Sequence, residues 1–166
     1  SVLLANDGVL PLAADGLHRV AVVGAFAEHP RFQGAGSSQV NPTRVDKLID
    51  EVRTRVAPDT EVVYAPAYDP STGATTDDLL DAALAAAAGA DVVVFAGGLP
   101  APMESEGFDR ATLDLPEGQI AVIEALAALP APVVVVLSNG GAVHLPFSDR
   151  VGAVLEGWLG GHAGAG

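Results

Sequence analysis

The sequence predicts an α/β domain: a three-layer sandwich whose mostly parallel sheet, of about five to six strands, is covered by helices on both faces. Three observations carry this prediction. Runs such as Val20-Ala21-Val22-Val23, Val92-Val93-Val94-Phe95 and Val133 to Leu137 are continuously apolar rather than alternating, which implies strands buried on both faces. Between them lie segments with apolar residues at helical spacing. The connections are short, so strand and helix alternate in βαβ fashion, with right-handed crossovers.

Each element has its own signal. Leu10-Pro11-Leu12 with Ala13-Ala14-Asp15-Gly16 reads as an entry segment and turn, punctuated by Pro and Gly. Arg19 to Gly24 is the first strand, and Ala25 to Pro42 a loop containing Gly34-Ala35-Gly36-Ser37-Ser38. Thr43 to Val56 carries Val45, Leu48, Ile49, Val52 and Val56 on one helical face, with Thr43 as N-cap and Pro58 beyond the end. Glu61 to Pro66 is a second strand. Asp69 to Thr76 is a polar loop, and Thr76 starts a helix that runs through an alanine-rich stretch to its stop at Gly89. Asp91 to Gly98 is a third strand. Pro116 to Leu129 is a helix with Pro in its first turn, Pro132 to Leu137 a fourth strand, and Ala153 to Trp158 a fifth.

The chain of 166 residues is long enough for one hydrophobic core, and it contains no cysteine, which excludes disulfides and thiolate metal sites. A net charge of −13 repels phosphate backbones and anionic lipid, so neither nucleic acid nor membrane is an expected partner. No stretch approaches the roughly twenty apolar residues a spanning helix requires. No basic leader or cleavage pattern opens the sequence, so no signal peptide is expected. Val2-Leu3-Leu4 is apolar from the outset and the chain stops in Gly160 to Gly166, so residues 1–166 are read as one domain within a longer polypeptide.

The chemistry concentrates in Met103-Glu104-Ser105-Glu106-Gly107-Phe108-Asp109-Arg110, four charged side chains in eight residues just past a buried strand. In an open parallel sheet, strand carboxyl ends and their loops line the ligand crevice. Gly24 to Ser38, Gly97 to Arg110, Ser138 to Gly141 and Trp158 to Gly161 would all emerge at that edge. On composition alone the same stretch also reads as a solvated acidic loop. No G-x-G-x-x-G opens from Gly24 and no Gly-Lys-Ser/Thr occurs, so the first glycine loop is a plain connection or borders a neutral ligand. His29, His144 and His162 are too scattered for a metal site, and His18 reads as a surface residue. Neither metal nor cofactor is expected.

In order and spacing these segments resemble the C-terminal α/β-sandwich domain of glycoside hydrolase family 3, the β-glucosidase and β-xylosidase group, whose sheet is flavodoxin-like. The resemblance runs through Leu10-Pro11-Leu12, Val20 to Gly24, Gly34-Ala35-Gly36-Ser37 with Val40-Asn41-Pro42, and Ala90 to Val94. It continues through Glu104 to Arg110 before Leu113-Asp114-Leu115-Pro116, then Val133 to Val143 and Trp158-Leu159-Gly160-Gly161. It implies retaining removal of a terminal β-linked sugar at a junction of two domains. The nucleophile would be an aspartate of an N-terminal barrel not contained in this chain. The general acid/base would be the glutamate of the E-G-x-D-R motif, here Glu106, with Glu104 as second choice. A retaining mechanism sets its two carboxyl groups about 5 to 5.5 Å apart.

A general acid needs a raised pKa, and Met103, Phe108 and the Glu104 carboxylate are the expected causes. Gly107 would permit the turn; Asp109 and Arg110 would support the loop by pairing with each other or with the barrel. Ser37, Ser38 and Asn41 either line the aglycone side or form a solvent loop capped by its own hydroxyls. Two departures stand out: His162 where relatives often carry Gln, and a short loop after Tyr68 that leaves no room for an inserted carbohydrate-binding module. An apolar patch is expected where the barrel docks. Two other readings remain: a non-catalytic sandwich for packing or binding, and a stand-alone flavodoxin-like ligand-binding domain.

Overall fold

The computed structural model describes residues 1–13 and 15–165. It contains six strands, β1 (Val2–Asn6), β2 (Arg19–Val23), β3 (Glu61–Ala65), β4 (Val92–Gly98), β5 (Val133–Ser138) and β6 (Ala153–Glu156). Three helices, α1 (Leu48–Arg55), α2 (Asp77–Ala87) and α3 (Glu117–Ala127), lie between them. The sheet order is β1-β6-β5-β4-β2-β3, parallel throughout except for the antiparallel edge strand β1. This is the expected α/β sandwich.

The β-branched runs account for the centre. Val20–Val23, Val92–Phe95 and Val133–Val135 are each almost wholly buried, so both faces of these strands need cover. Helices α2 and α3 touch each other on one face; the right-handed β2-α1-β3 crossover places α1 on the other. The alanines of α2 serve close packing, with Ala83, Ala86 and Ala87 buried. The Thr76 side chain caps α2 by accepting the Leu79 N–H, and Asp77 and Asp78 sit favourably against the positive end of the helix dipole.

Three expectations change. The first helix starts at Leu48 rather than Thr43, because the Asp46 N–H donates to His162 O at 2.8 Å and Lys47 is extended. Asp46 thus pairs with the glycine-rich tail, and Thr43 does not cap α1. The last strand ends at Glu156, not Trp158, whose φ of 56° breaks the extended run. Val2 to Leu4 form a strand that composition did not reveal, β1, paired with β6 and exposed at 46–52 %.

Strand order fixes where a ligand site belongs. The chain leaves β2 toward β3 on one side, then returns past β2 to β4, so the order reverses between β2 and β4. At such a switch point adjacent loops diverge and leave a crevice at the carboxyl ends of the strands. The loops bordering it here are residues 24–47, after β2, and residues 99–116, after β4.

Candidate active site

The loop after β4 is held at both ends by burial, Leu99 at its start and Leu115 before α3. At the strand end Gly98 has φ 142°, and a Cβ there would lie 2.1 Å from Ser138 O, so β4 and β5 approach as closely as they do only with glycine. Both backbone polar groups of Gly98 are satisfied by one buried side chain of α3. Gln119 Oε1 accepts the Gly98 N–H at 2.9 Å and Gln119 Nε2 donates to Gly98 O at 2.9 Å.

Between these anchors the two glutamates take opposite roles. The Glu104 side chain is 11 % exposed and points inward, where the Gly140 N–H donates to both its oxygens, at 3.0 and 2.9 Å, and the Gly141 N–H donates to Oε1 at 2.7 Å. Arg31, 9 % exposed, brings its Nη2 to 3.9 Å from Glu104 Oε2. Burial draws the Arg31 guanidinium below its ordinary value and the Glu104 charge opposes that shift. Glu104 therefore ties together the loops after β2, β4 and β5. Arg110 adds a second tie, donating from Nη2 to Ala142 O at 2.8 Å.

Glu106 is exposed. Its Oε2 accepts the Ser37 hydroxyl at 2.5 Å and the Ser37 N–H at 3.0 Å, while Oε1 takes no hydrogen bond from the described residues. The Ser37 hydroxyl, and after it the N–H, holds the Glu106 carboxyl below its ordinary value. The expected rise is thus reversed. Phe108, at 74 % exposure, encloses nothing, and the Glu104 carboxylate is committed to the Gly140–Gly141 backbone.

The model of the glycosyl hydrolase family 3 C-terminal domain matches residues 1–166. The chain belongs to that domain family. It is 43 % identical over 163 residues to thermostable beta-glucosidase B of Acetivibrio thermocellus, covering 98 % of this chain and 21 % of that relative. It is 40 % identical over 172 residues to an exo-alpha-(1->6)-L-arabinopyranosidase of Bifidobacterium longum, covering 98 % and 22 %. The crystal structure of the Bifidobacterium adolescentis GH3 beta-glucosidase superposes with a TM-score of 0.88 at 41 % identity, over 99 % of this chain and 24 % of that one. The chain spans about a fifth of the length of the curated relatives it matches.

Within this family 3 domain the expected site residues separate. Ser37 and Glu106 are brought together across the switch-point crevice. Ser38 and Asn41 are exposed on the same loop and make no hydrogen bond to Glu106. Gly107, with φ 82°, permits the turn. Asp109 is exposed and takes no part in the ion pairs of the described residues; Arg110 turns to a backbone carbonyl instead of to Asp109, because Ala142 O lies in reach. Phe108, Arg110, Gly141 and Leu159 border an open depression beside the turn. Phe108, Leu113, Val40 and Trp158 are large apolar side chains left exposed on these loops.

One buried carboxyl near the site is not among the residues the sequence singles out. Glu156, 4 % exposed at the end of β6, accepts Asn139 Nδ2 at 3.0 Å and the Trp158 N–H at 2.8 Å, and burial pushes its carboxyl up. Asn139 Nδ2 also donates to Gly141 O at 2.9 Å, so Glu156 supports the same glycine turn that Glu104 binds. A lone carboxylate inside the apolar run Ala153 to Trp158 was the available signal.

Proposed function

We propose that this domain supplies the general acid/base of a retaining exo-β-glycosidase, β-glucosidase-like in preference, with the nucleophilic carboxylate contributed by an N-terminal barrel of the same polypeptide. The observation that carries the reading is the division of labour between the two glutamates. Both oxygens of Glu104 are bound by backbone N–H groups, whereas Glu106 is exposed on the loop that borders the switch point, with Oε1 taking no hydrogen bond from the described residues. Glu106 would protonate the glycosidic oxygen as the barrel carboxylate attacks the anomeric carbon. Then, as carboxylate, it would take a proton from the water that cleaves the glycosyl-enzyme. The glycosidase names of the relatives support this reaction class. The exposed Phe108, Leu113, Val40 and Trp158 are of the kind a docked domain or aglycone would cover.

The depressed pKa of Glu106 favours the runner-up, a non-catalytic packing or binding module, and one experiment separates the two. Glu106→Ala in the longest natural polypeptide carrying this chain should lose on the order of a hundred- to ten-thousand-fold in kcat/KM on glycosides with poor leaving groups. Activated aryl β-glucosides, which need little protonation, should suffer far less in bond cleavage. Added azide, a nucleophile that needs no base, should restore turnover and yield a β-glycosyl azide. Undiminished activity without azide, or equal losses with no azide product, would remove the acid/base role from Glu106.

A further inference from the structure

We propose that Ser37 is a positioning residue for Glu106, clasping Oε2 with its hydroxyl and its backbone N–H so that Oε1 is the oxygen left to exchange a proton with the substrate. The inference rests on the acid/base reading of Glu106 and deepens it.

Three observations converge on the clasp. Both donors of Ser37 reach the same carboxylate oxygen, at 2.5 Å from Oγ and 3.0 Å from the backbone nitrogen. A glutamate on an exposed turn otherwise retains much of its rotamer freedom, and two donors from one residue restrict both its position and its rotation. The residues come from the two loops that flank the switch point, 69 positions apart in sequence, so the contact exists only because the fold brings those loops together.

The third observation is the shape of the approach. Gly36 has φ 85°, and a Cβ built there would fall 2.7 Å from Glu106 Cβ and 3.0 Å from Oε2. The backbone beside Ser37 is thus pressed against the Glu106 side chain, and only glycine allows it. The neighbouring Ser38 hydroxyl makes no such contact, which separates a specific clasp from a merely polar loop.

Hydroxyl donation favours the charged form of Glu106, in keeping with its depressed pKa. The clasp therefore readies the carboxylate for its base role. It also predicts the sign of the change when the hydroxyl is removed.

The test uses Ser37→Ala and Ser37→Thr in the longest natural polypeptide carrying this chain, with kcat/KM measured against pH on a glycoside with a poor leaving group. Ser37→Ala should lower kcat/KM about tenfold, the scale of one hydrogen bond to a charged group. It should also move the basic limb of the profile to higher pH, since that limb reports the acid of the free enzyme. Ser37→Thr, which keeps the hydroxyl, should restore both. An unmoved limb in Ser37→Ala, even with a lower melting temperature, would overturn the proposal and leave Ser37 a loop support. Azide rescue of Glu106→Ala alongside separates the two levels. Rescue with an unmoved Ser37→Ala limb sinks the clasp alone, whereas absence of rescue sinks the acid/base reading and the clasp with it.

Discussion

Replacing Glu104 by Ala should cost the fold about 3 kcal/mol, a value that follows from what the carboxylate touches. Two backbone donors lose a charged acceptor, and hydrogen bonds to charged groups contribute about 1.5 to 3 kcal/mol each. The Gly140 backbone is exposed and regains water, which brings the sum toward the lower end. Arg31 does not regain water. At 9 % exposure it is left without its counter-charge, and breaking a buried pair costs about 3 to 5 kcal/mol when the partners are in full contact. At 3.9 Å without a hydrogen bond this pair contributes only a fraction of that. Urea unfolding of the chain reads the result: with a slope of about 2 kcal/mol/M the midpoint should fall by about 1.5 M. Arg31→Met should lessen the effect, so that the double variant loses less than the sum of the singles. A loss below about 1 kcal/mol, on the scale of an exposed ion pair, or strict additivity with Arg31→Met, would refute the claim that Glu104 holds the three loops together.

Two further predictions follow from buried and partnered groups. Gln119→Leu keeps the bulk of a fully buried side chain but orphans the N–H and C=O of Gly98, so it should destabilise by about 2 to 4 kcal/mol in thermal unfolding; wild-type stability would show that those groups find other partners. Asp91 accepts the Arg19 N–H at 2.8 Å and the His18 N–H at 2.6 Å, and these bonds hold its carboxyl below the ordinary value. Its stabilisation is therefore present above the unfolded-state pKa and lost as pH falls through the folded-state pKa. Asp91→Asn should be less stable than wild type near neutrality, with the gap closing below the ordinary carboxylate range; a gap unchanged between about pH 7 and about pH 2 would contradict this.

The sheet was legible wherever burial on both faces imposed continuous hydrophobicity, as in Val20–Val23 and Val92–Phe95. Strand β1 was not, because Val2, Leu3 and Leu4 are half exposed and owe their extended form to pairing with β6 at the far end of the chain. The start of α1 was misplaced for a related reason: the periodicity from Val45 onward is real, but the Asp46 N–H is used by the tail. In the candidate site the motif Glu104 to Arg110 was visible from its charges. The partition between its two glutamates was not, since it depends on Gly140, Gly141, Arg31 and Ser37, which only the folded sheet edge assembles.

That partition bears on how a glutamate held ionised by Ser37 would act as an acid. Within the domain the Ser37 hydrogen bonds outweigh the small desolvation that would raise it: Phe108 is exposed, and Glu104 is spent on backbone donors. On the proposed mechanism the missing influences come from outside, namely a second carboxylate about 5 to 5.5 Å away and a sugar that displaces water, both of which disfavour the charged form. Once the nucleophile is esterified its charge is gone, and the Ser37 clasp again favours the carboxylate needed to activate water. The swing between acid and base would then belong to the two-domain assembly, with this domain contributing the resting bias toward base and the loop contact that binds Oε2 and leaves Oε1 exposed.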